Sequence, residues 1–369
     1  DAGWYADGDQ KLHEQRIAAG QFRTLNLDEF GRYIPSPVNF PHGLRTLADR
    51  CHENGIKFGL HMMRGLPLGA VERNTPIKDT PYHARDIYDP DGACSWCKYW
   101  VAAKADHPGT LAFYKSEVEY LTEELEVDFI KLDDVVEHPD HVTLFGEAVA
   151  SVPRPVLLSL SPGGECCREN WETLEKYGNM VRITSDAWDH DETNLQKLQR
   201  WYEFQDLSSD SLRADLDMLP LGALQVTTDI RQSRLTPRGK RVMMTIMALS
   251  GSPLIFGGDL PRTPQEDFDF ATHPAVLECN AWCIPGRRVS FQHHIDVRRS
   301  PDRRDSSHGW IGVFSTSELP RHIVLSPHHL GFSELPPLRE LWSGYEVAPT
   351  VDGNAEFYLP PYDVAFLRY

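Results

Sequence analysis

The chain has no run of about 18 apolar residues, so no segment is long enough to cross a membrane as a helix. It also lacks a basic surplus: 37 lysines and arginines stand against 54 aspartates and glutamates, for a net charge of −17. Binding a polyanion requires a basic surface, so nucleic acid is not an expected partner, whereas a neutral substrate is compatible. No G-x-G-x-x-G occurs, which removes the dinucleotide-binding fingerprint. Internal repeats, low-complexity segments and a signal peptide are not visible. The opening DAGWYADG reads as the end of a strand, and upstream residues are expected to precede it.

Seven cysteines, an odd number, stand at Cys51, Cys94, Cys97, Cys166, Cys167, Cys279 and Cys283. Cys94-x-x-Cys97 fits a zinc half-site, a redox motif or a disulfide, but the adjacent Cys166 and Cys167 lack the spacing of a matching second pair. No cofactor is expected on this count, and the compartment stays open. A homo-oligomer is likewise left open.

What is present is a soluble globular composition, 41% hydrophobic and 25% charged, over 369 residues. That length accommodates a barrel of about 250 residues and a small second domain. The first three quarters repeat a short apolar strand, a polar loop and an amphipathic helix. Strands are expected at Ile56 to His61, Phe129 to Leu132, Val156 to Leu160, Met180 to Ile183 and Leu254 to Phe256. Gly55 sits where the helix LRTLADRCHENG should be capped, and YKSEVEYLTEELEV and RVMMTIMALSG carry helical spacing. Strands alternating with helices imply a parallel sheet, and this many units favour an α/β fold of the (β/α)8 TIM-barrel type over a doubly wound sheet. After about Pro285 short β-rich runs separated by Pro, Gly and Ser replace the helical period. They point to a C-terminal antiparallel β-sandwich over 286–369, with the catalytic barrel over 1–285.

In such a barrel, polar residues at the carboxyl ends of strands face the active site. The rule selects Asp1 with Trp4, His61 and Arg64, Lys131 with Asp133 and Asp134, Ser159 and Ser161, Arg182 with Ser185 and Asp186, Asp217, and Asp259. Asp133 and Asp186 are the best carboxylates because they end different strands. Lys131 lies two residues before Asp133, on the same strand face, where its charge would keep a nucleophilic aspartate ionised. Asp186 needs the reverse, a proton held near neutral pH. Two acids tuned apart are the equipment of glycoside hydrolysis. Each aspartate could instead cap a helix or bind a loop amide. Trp4 and Trp96 serve either as sugar platforms or as packing, His61 reads more as a satisfied rim histidine than as a ligand, and Asp259 as structural.

The order of segments resembles glycoside hydrolase family 27, the α-galactosidase (melibiase) family. The likeness runs through Asp1 to Trp4, FPHGLRTLADRCHENGIKFGLH, VDFIKLDD, VRITSD, LDMLPLG, MALSGSPLIFGGDL, LWSGYEV and PPYDVAFLRY. It implies a barrel followed by an antiparallel β-sandwich. It casts Asp133 as nucleophile, Asp186 as acid/base, Lys131 and Arg182 as sugar ligands, Asp1 as a ligand to hydroxyls on the far side of the sugar, and Asp217 as a pocket aspartate. His61, Cys94, Trp96, Trp4 and Ser161 fall at the rim of the same implied substrate site.

The chain also departs from the family pattern. Ala2 stands where a second acid usually grips galactose, and Ser159-Leu160-Ser161-Pro162 replaces the segment that contacts the 2-position. His61 replaces an aromatic residue, and Val135 stands where the family places the partner of the cysteine equivalent to Cys94. The family's first barrel strand has no counterpart. The resemblance therefore implies a retaining exo-glycosidase acting on a terminal α-D-galactosyl or related residue, with carboxyl groups about 5–5.5 Å apart. A β-L-arabinopyranosidase or an isomaltodextranase-like α-glucosidase are alternatives within the family. A barrel that binds carbohydrate without turnover and a metal-dependent barrel hydrolase are alternatives of other classes.

Overall fold

The computed structural model describes residues 2–6, 25–92, 94, 96, 99–164, 166, 168–225 and 230–369. The chain divides into two compact units, 1–182 and 183–369.

In the first unit four strands pair in parallel: β1 (Gly59–Met63), β2 (Phe129–Asp133), β3 (Leu157–Leu160) and β4 (Met180–Arg182). The helices between them are α2 (Pro108–Glu119), α3 (Pro139–Ala150) and α4 (Trp171–Tyr177), and α1 (Leu44–Glu53) precedes β1. The end of α1 is set by its sequence. Gly55 adopts φ 70°, Ile56 N–H returns to Cys51 O at 2.9 Å and Gly55 N–H to His52 O at 2.9 Å. This is the paired closure that a left-handed glycine permits. It also delays the strand expected from Ile56, because Phe58 N–H is bound at 2.9 Å by the Asp128 carboxylate and the ladder starts at Gly59.

Along β2 burial alternates. Ile130 and Leu132 are buried, while Phe129, Lys131 and Asp133 on the opposite face are only half-buried. The two-residue period of a strand thus puts Lys131 and Asp133 side by side. A short antiparallel sheet of Leu66–Pro67, Tyr88–Asp89 and Trp100–Ala103 follows β1.

The second unit begins with the loop after β4 and holds β5 (Arg213–Asp215) and the helices α5 (Thr193–Phe204) and α6 (Pro237–Ser250). Thr236 caps α6 by accepting Gly239 N–H at 3.0 Å, and Gly251 closes it at φ 67°. The segment Leu254 to Phe256, expected as a strand, makes one parallel bridge, Leu219 to Phe256, rather than a ladder. Leu219 N–H donates to Ile255 O at 2.7 Å and Gly257 N–H to Leu219 O at 3.0 Å, so only the tip of the run is paired.

The C-terminal part is all antiparallel. A six-stranded sheet in the order β6-β7-β8-β13-β10-β11 comprises β6 (Arg287–Gln292), β7 (Ile295–Pro301), β8 (Gly309–Ser315), β10 (Leu338–Glu340), β11 (Glu346–Val347) and β13 (Val364–Arg368). A second sheet pairs β9 (Arg321–Leu325) with β12 (Ala355–Leu359). Val297, Ile311, Val313 and Leu367 from the large sheet and Leu325, Phe357 and Leu359 from the small one share a core. Each such buried side chain stabilises by about 1.5–3 kcal/mol.

The other face of the large sheet meets α5 and α6. The guanidinium of Arg298 is fully buried, lies 4.1 Å over the Trp201 ring and donates to Leu198 O at 2.7 Å, and Ser300 Oγ donates to Leu249 O at 2.8 Å. No helix among the described residues is long and apolar enough to cross a membrane.

Candidate active site

The site is built at the carboxyl end of β2. Asp133 Oδ2 lies 3.4 Å from His61 Nε2, at the middle of β1, and 3.8 Å from Lys131 Nζ. Its Oδ1 accepts the N–H of Asp134 at 2.9 Å. Burial pushes the Asp133 carboxyl up, but the His61 hydrogen bond, the Lys131 charge and the Asp134 N–H outweigh it and bring it to about 2. Burial in turn lowers His61 to about 4, against the pull of Asp133. We take the His61 ring as neutral at pH 7, because it is 4% exposed, so what it gives Asp133 is an Nε2–H donor rather than a charge. The outcome is an ionised, hydrogen-bonded carboxylate at a strand end, the state in which an aspartate can attack.

Trp4 stands behind His61. Its indole N–H donates to His61 O at 2.7 Å and its ring meets Tyr5 edge-on at 4.9 Å. It is buried, so of its two readings the packing one fits its place. Trp96 differs: it is 51% exposed and lies 6.0 Å from the buried Trp100. Cys94, two residues earlier, is buried. Ser161 is also buried, and its backbone joins strand ends by donating to Leu132 O at 2.9 Å and accepting Val135 N–H at 3.1 Å. Arg182 ends β4 with Nη2 3.5 Å from Pro162 O. Asp1, Cys97 and Cys167 lie outside the described residues.

In the second unit Asp186 sits exposed on the loop that follows Ile183, whose N–H is held by Asp215 O at 2.9 Å. Asp217, at φ 70°, accepts Ala187 N–H on Oδ2 at 2.6 Å and donates its own N–H to Asp215 Oδ1 at 2.8 Å. Asp217 therefore fixes the backbone next to Asp186. Asp189, buried three residues beyond Asp186, accepts from both terminal nitrogens of Arg231 and from Arg234 N–H. Burial raises its carboxyl, and these bonds override that and hold it at about 2. Asp259 precedes a 3-10 turn, Leu260–Arg262, and its carbonyl accepts Thr263 Oγ1 at 2.8 Å.

Thus His61, Lys131 and Asp133, backed by Trp4, come together in the first unit, and Asp186 with Asp217 in the second. Sequence reasoning passed over Glu137, whose carboxylate accepts Gly163 N–H at 3.2 Å and Gly164 N–H at 2.9 Å, tying the loop after β2 to the loop after β3. Its signal was its place, an acid four residues beyond the nucleophile candidate. Among the described residues, no group of three or more His, Cys, Asp and Glu side chains is placed to hold a metal ion.

No protein-family model matches the chain. Among curated proteins it is similar to mouse α-N-acetylgalactosaminidase, with 25% identity over 286 residues that make up 73% of this chain and 58% of that enzyme. The chain spans less than two thirds of the length of the mouse, rat and human relatives it matches (58%, 66% and 56%). Among solved structures, a β-L-arabinopyranosidase of glycoside hydrolase family 27 from Geobacillus stearothermophilus superposes with a TM-score of 0.87 at 30% identity, covering 94% of this chain and 82% of that one. A putative α-N-acetylgalactosaminidase from Bacillus halodurans gives 0.83 at 24% identity, covering 99% and 86%. The fold is a (β/α)8 barrel followed by an antiparallel β-sandwich, as the order of strands and helices implied. The chain belongs to glycoside hydrolase family 27.

Proposed function

We propose that the chain is a retaining exo-glycoside hydrolase in which Asp133 is the nucleophile and Asp186 the acid/base, and that it removes a terminal α-D-galactosyl or closely related glycosyl residue. The observation that carries this reading is Asp133 itself: a strand-end carboxylate kept ionised between a neutral histidine donor and a lysine. In the proposed reaction Asp133 attacks the anomeric carbon while Asp186 protonates the leaving oxygen. Water activated by Asp186 then hydrolyses the glycosyl-enzyme with net retention. The two carboxylates supply the chemistry, and no cofactor takes part. Lys131, Arg182, Asp217, Asp1 and the exposed Trp96 are assigned to sugar binding, with His61, Trp4, Cys94 and Ser161 forming the wall behind them. The barrel, 1–285, is the catalytic domain and 286–369 the β-sandwich. The partner is a carbohydrate rather than a nucleic acid, in keeping with the net charge of −17.

A β-L-arabinopyranoside is the second substrate reading. It is favoured by the likeness to the Geobacillus enzyme and by Ala2, since a sugar without a 6-hydroxyl has less need of the acid missing there. Losing one charge-assisted hydrogen bond of that kind weakens galactose binding by about 1.5–3 kcal/mol. A panel of nitrophenyl α-galactoside, β-L-arabinopyranoside and α-glucoside, with the anomer of the first product followed by NMR, tests both readings. Hydrolysis of the first or second with retention is expected; inversion, or turnover of none, would overturn the proposal.

A further inference from the structure

Directly after Asp133 the backbone turns through Asp134 at φ 58°, a left-handed conformation that a non-glycine residue rarely adopts. This turn aims the Asp134 N–H at Asp133 Oδ1, 2.9 Å away. Aspartate is among the few side chains that visit this region, and here its side chain is held as well. Arg64, from the segment after β1, reaches Asp134 Oδ2 with Nη2 at 2.8 Å and Nε at 3.2 Å, and Nε also donates to Asp134 O at 2.7 Å. Both residues are buried, Arg64 at 4% exposure and Asp134 at 5%. The same guanidinium donates from Nη2 to Gly92 O at 3.1 Å. The backbone N–H of Arg64 donates to Asp133 O at 3.1 Å.

The surroundings are shaped to this pair. A Cβ on Gly163 would lie 2.1 Å from Asp134 Oδ1, so that position admits the carboxylate only as glycine. Gly65, at φ 85°, is fixed by Tyr114 Oη, which accepts its N–H at 2.9 Å, and this holds Arg64 in place from α2. A buried arginine touching carbonyl and carboxylate of one residue leaves that residue no freedom to rotate.

We propose that Arg64 and Asp134 are positioning residues, whose ion pair locks the left-handed turn that presents a backbone N–H to the nucleophile. The inference rests on the assignment of Asp133 as nucleophile. Among the described residues of this unit, the charged or titratable side chains within 4 Å of Asp133 are His61 and Lys131, and neither is substituted in the test.

The test uses R64M, D134N, the double variant and D134G in the full chain, with D133N as control. Steady-state kinetics are measured across pH on whichever nitrophenyl glycoside the protein cleaves. R64M and D134N should lower kcat by about ten- to a hundredfold with KM little changed, the loss expected from a misaimed reacting group. The double variant should be no worse than the poorer single one, because the two act as a unit. D134G, which permits the turn but removes the side chain that Arg64 holds, should lose at least as much kcat as D134N. If R64M and D134N lose thermal stability but keep kcat and the acidic limb of kcat/KM, the pair only supports the fold and the inference fails. An active D133N protein would instead overturn the nucleophile assignment on which it rests.

Discussion

Replacing His61 with phenylalanine isolates what the neutral histidine gives the nucleophile. The ring stays bulky and apolar, so the burial that pushes Asp133 up is kept, while the Nε2–H donor at 3.4 Å is lost. A hydrogen bond to a charged group is worth about 1.5–3 kcal/mol, or about 1–2 pKa units. Asp133, held at about 2, should therefore rise toward the ordinary range of a carboxylate. The acidic limb of kcat/KM, which for the parent protein falls near the acid end of any workable range, should enter the measurable window in H61F.

Stability should follow the same sign. A carboxylate whose folded value is depressed contributes stability that is present above its unfolded value, about 3.9, and is lost as pH falls through its folded value. H61F should thus be less stable than the parent at neutral pH and converge with it under strong acid, apart from any packing cost. Kinetics from pH 3 to 8 with parallel thermal melts would read both effects. An acidic limb that does not move, with stability curves offset equally at every pH, would refute the role given to His61.

Other expectations can be checked on the folded protein alone. Glu117 is 1% exposed, and both its carboxyl oxygens are without a hydrogen-bond partner among the described residues; burial, opposed by Arg32 and reinforced by Asp28, pushes it well above the usual glutamate value. Its folded value is the raised one, so ionisation penalises the native state increasingly as pH climbs above the unfolded value. E117Q should match the parent near pH 4 and gain on it toward pH 8 in thermal melts, and parallel curves would contradict this. Asp296, 1% exposed, accepts from Arg288 at 2.7 Å and from the buried Arg298 at 2.8 Å. D296N leaves a buried guanidinium uncompensated and should cost about 3–5 kcal/mol in chemical denaturation, whereas a loss below 1 kcal/mol would show the pair to be well solvated.

Much of the scaffold was legible from residue order because local chemistry and tertiary packing agree there. The capped helix ending at Gly55 is one case, and the apolar alternation that sets Lys131 and Asp133 on one face of β2 is another. Legibility failed where a polar side chain took a partner distant in sequence. The strand forecast from Ile56 starts late because Asp128, about seventy residues away, claims Phe58 N–H. In β7 the run IDVRRSP reads as charged, and it is the packing of Arg298 on Trp201 and its bond to Asp296 that place this one guanidinium in the interior. At the site, the rule of strand-end polar residues found Arg64 and Asp134 but gave them no task. Their task depends on a backbone turn and on a guanidinium reaching across to it, and no spacing in the sequence encodes either.

The central claim is that Asp133 carries the glycosyl group between the two steps. Peptide mass analysis after incubation with an activated fluorosugar whose glycosyl-enzyme turns over slowly tests it directly. A single sugar adduct on the β2 peptide at Asp133, absent in D133N, is the predicted result. An adduct on another carboxylate, or turnover retained by D133N, would contradict it.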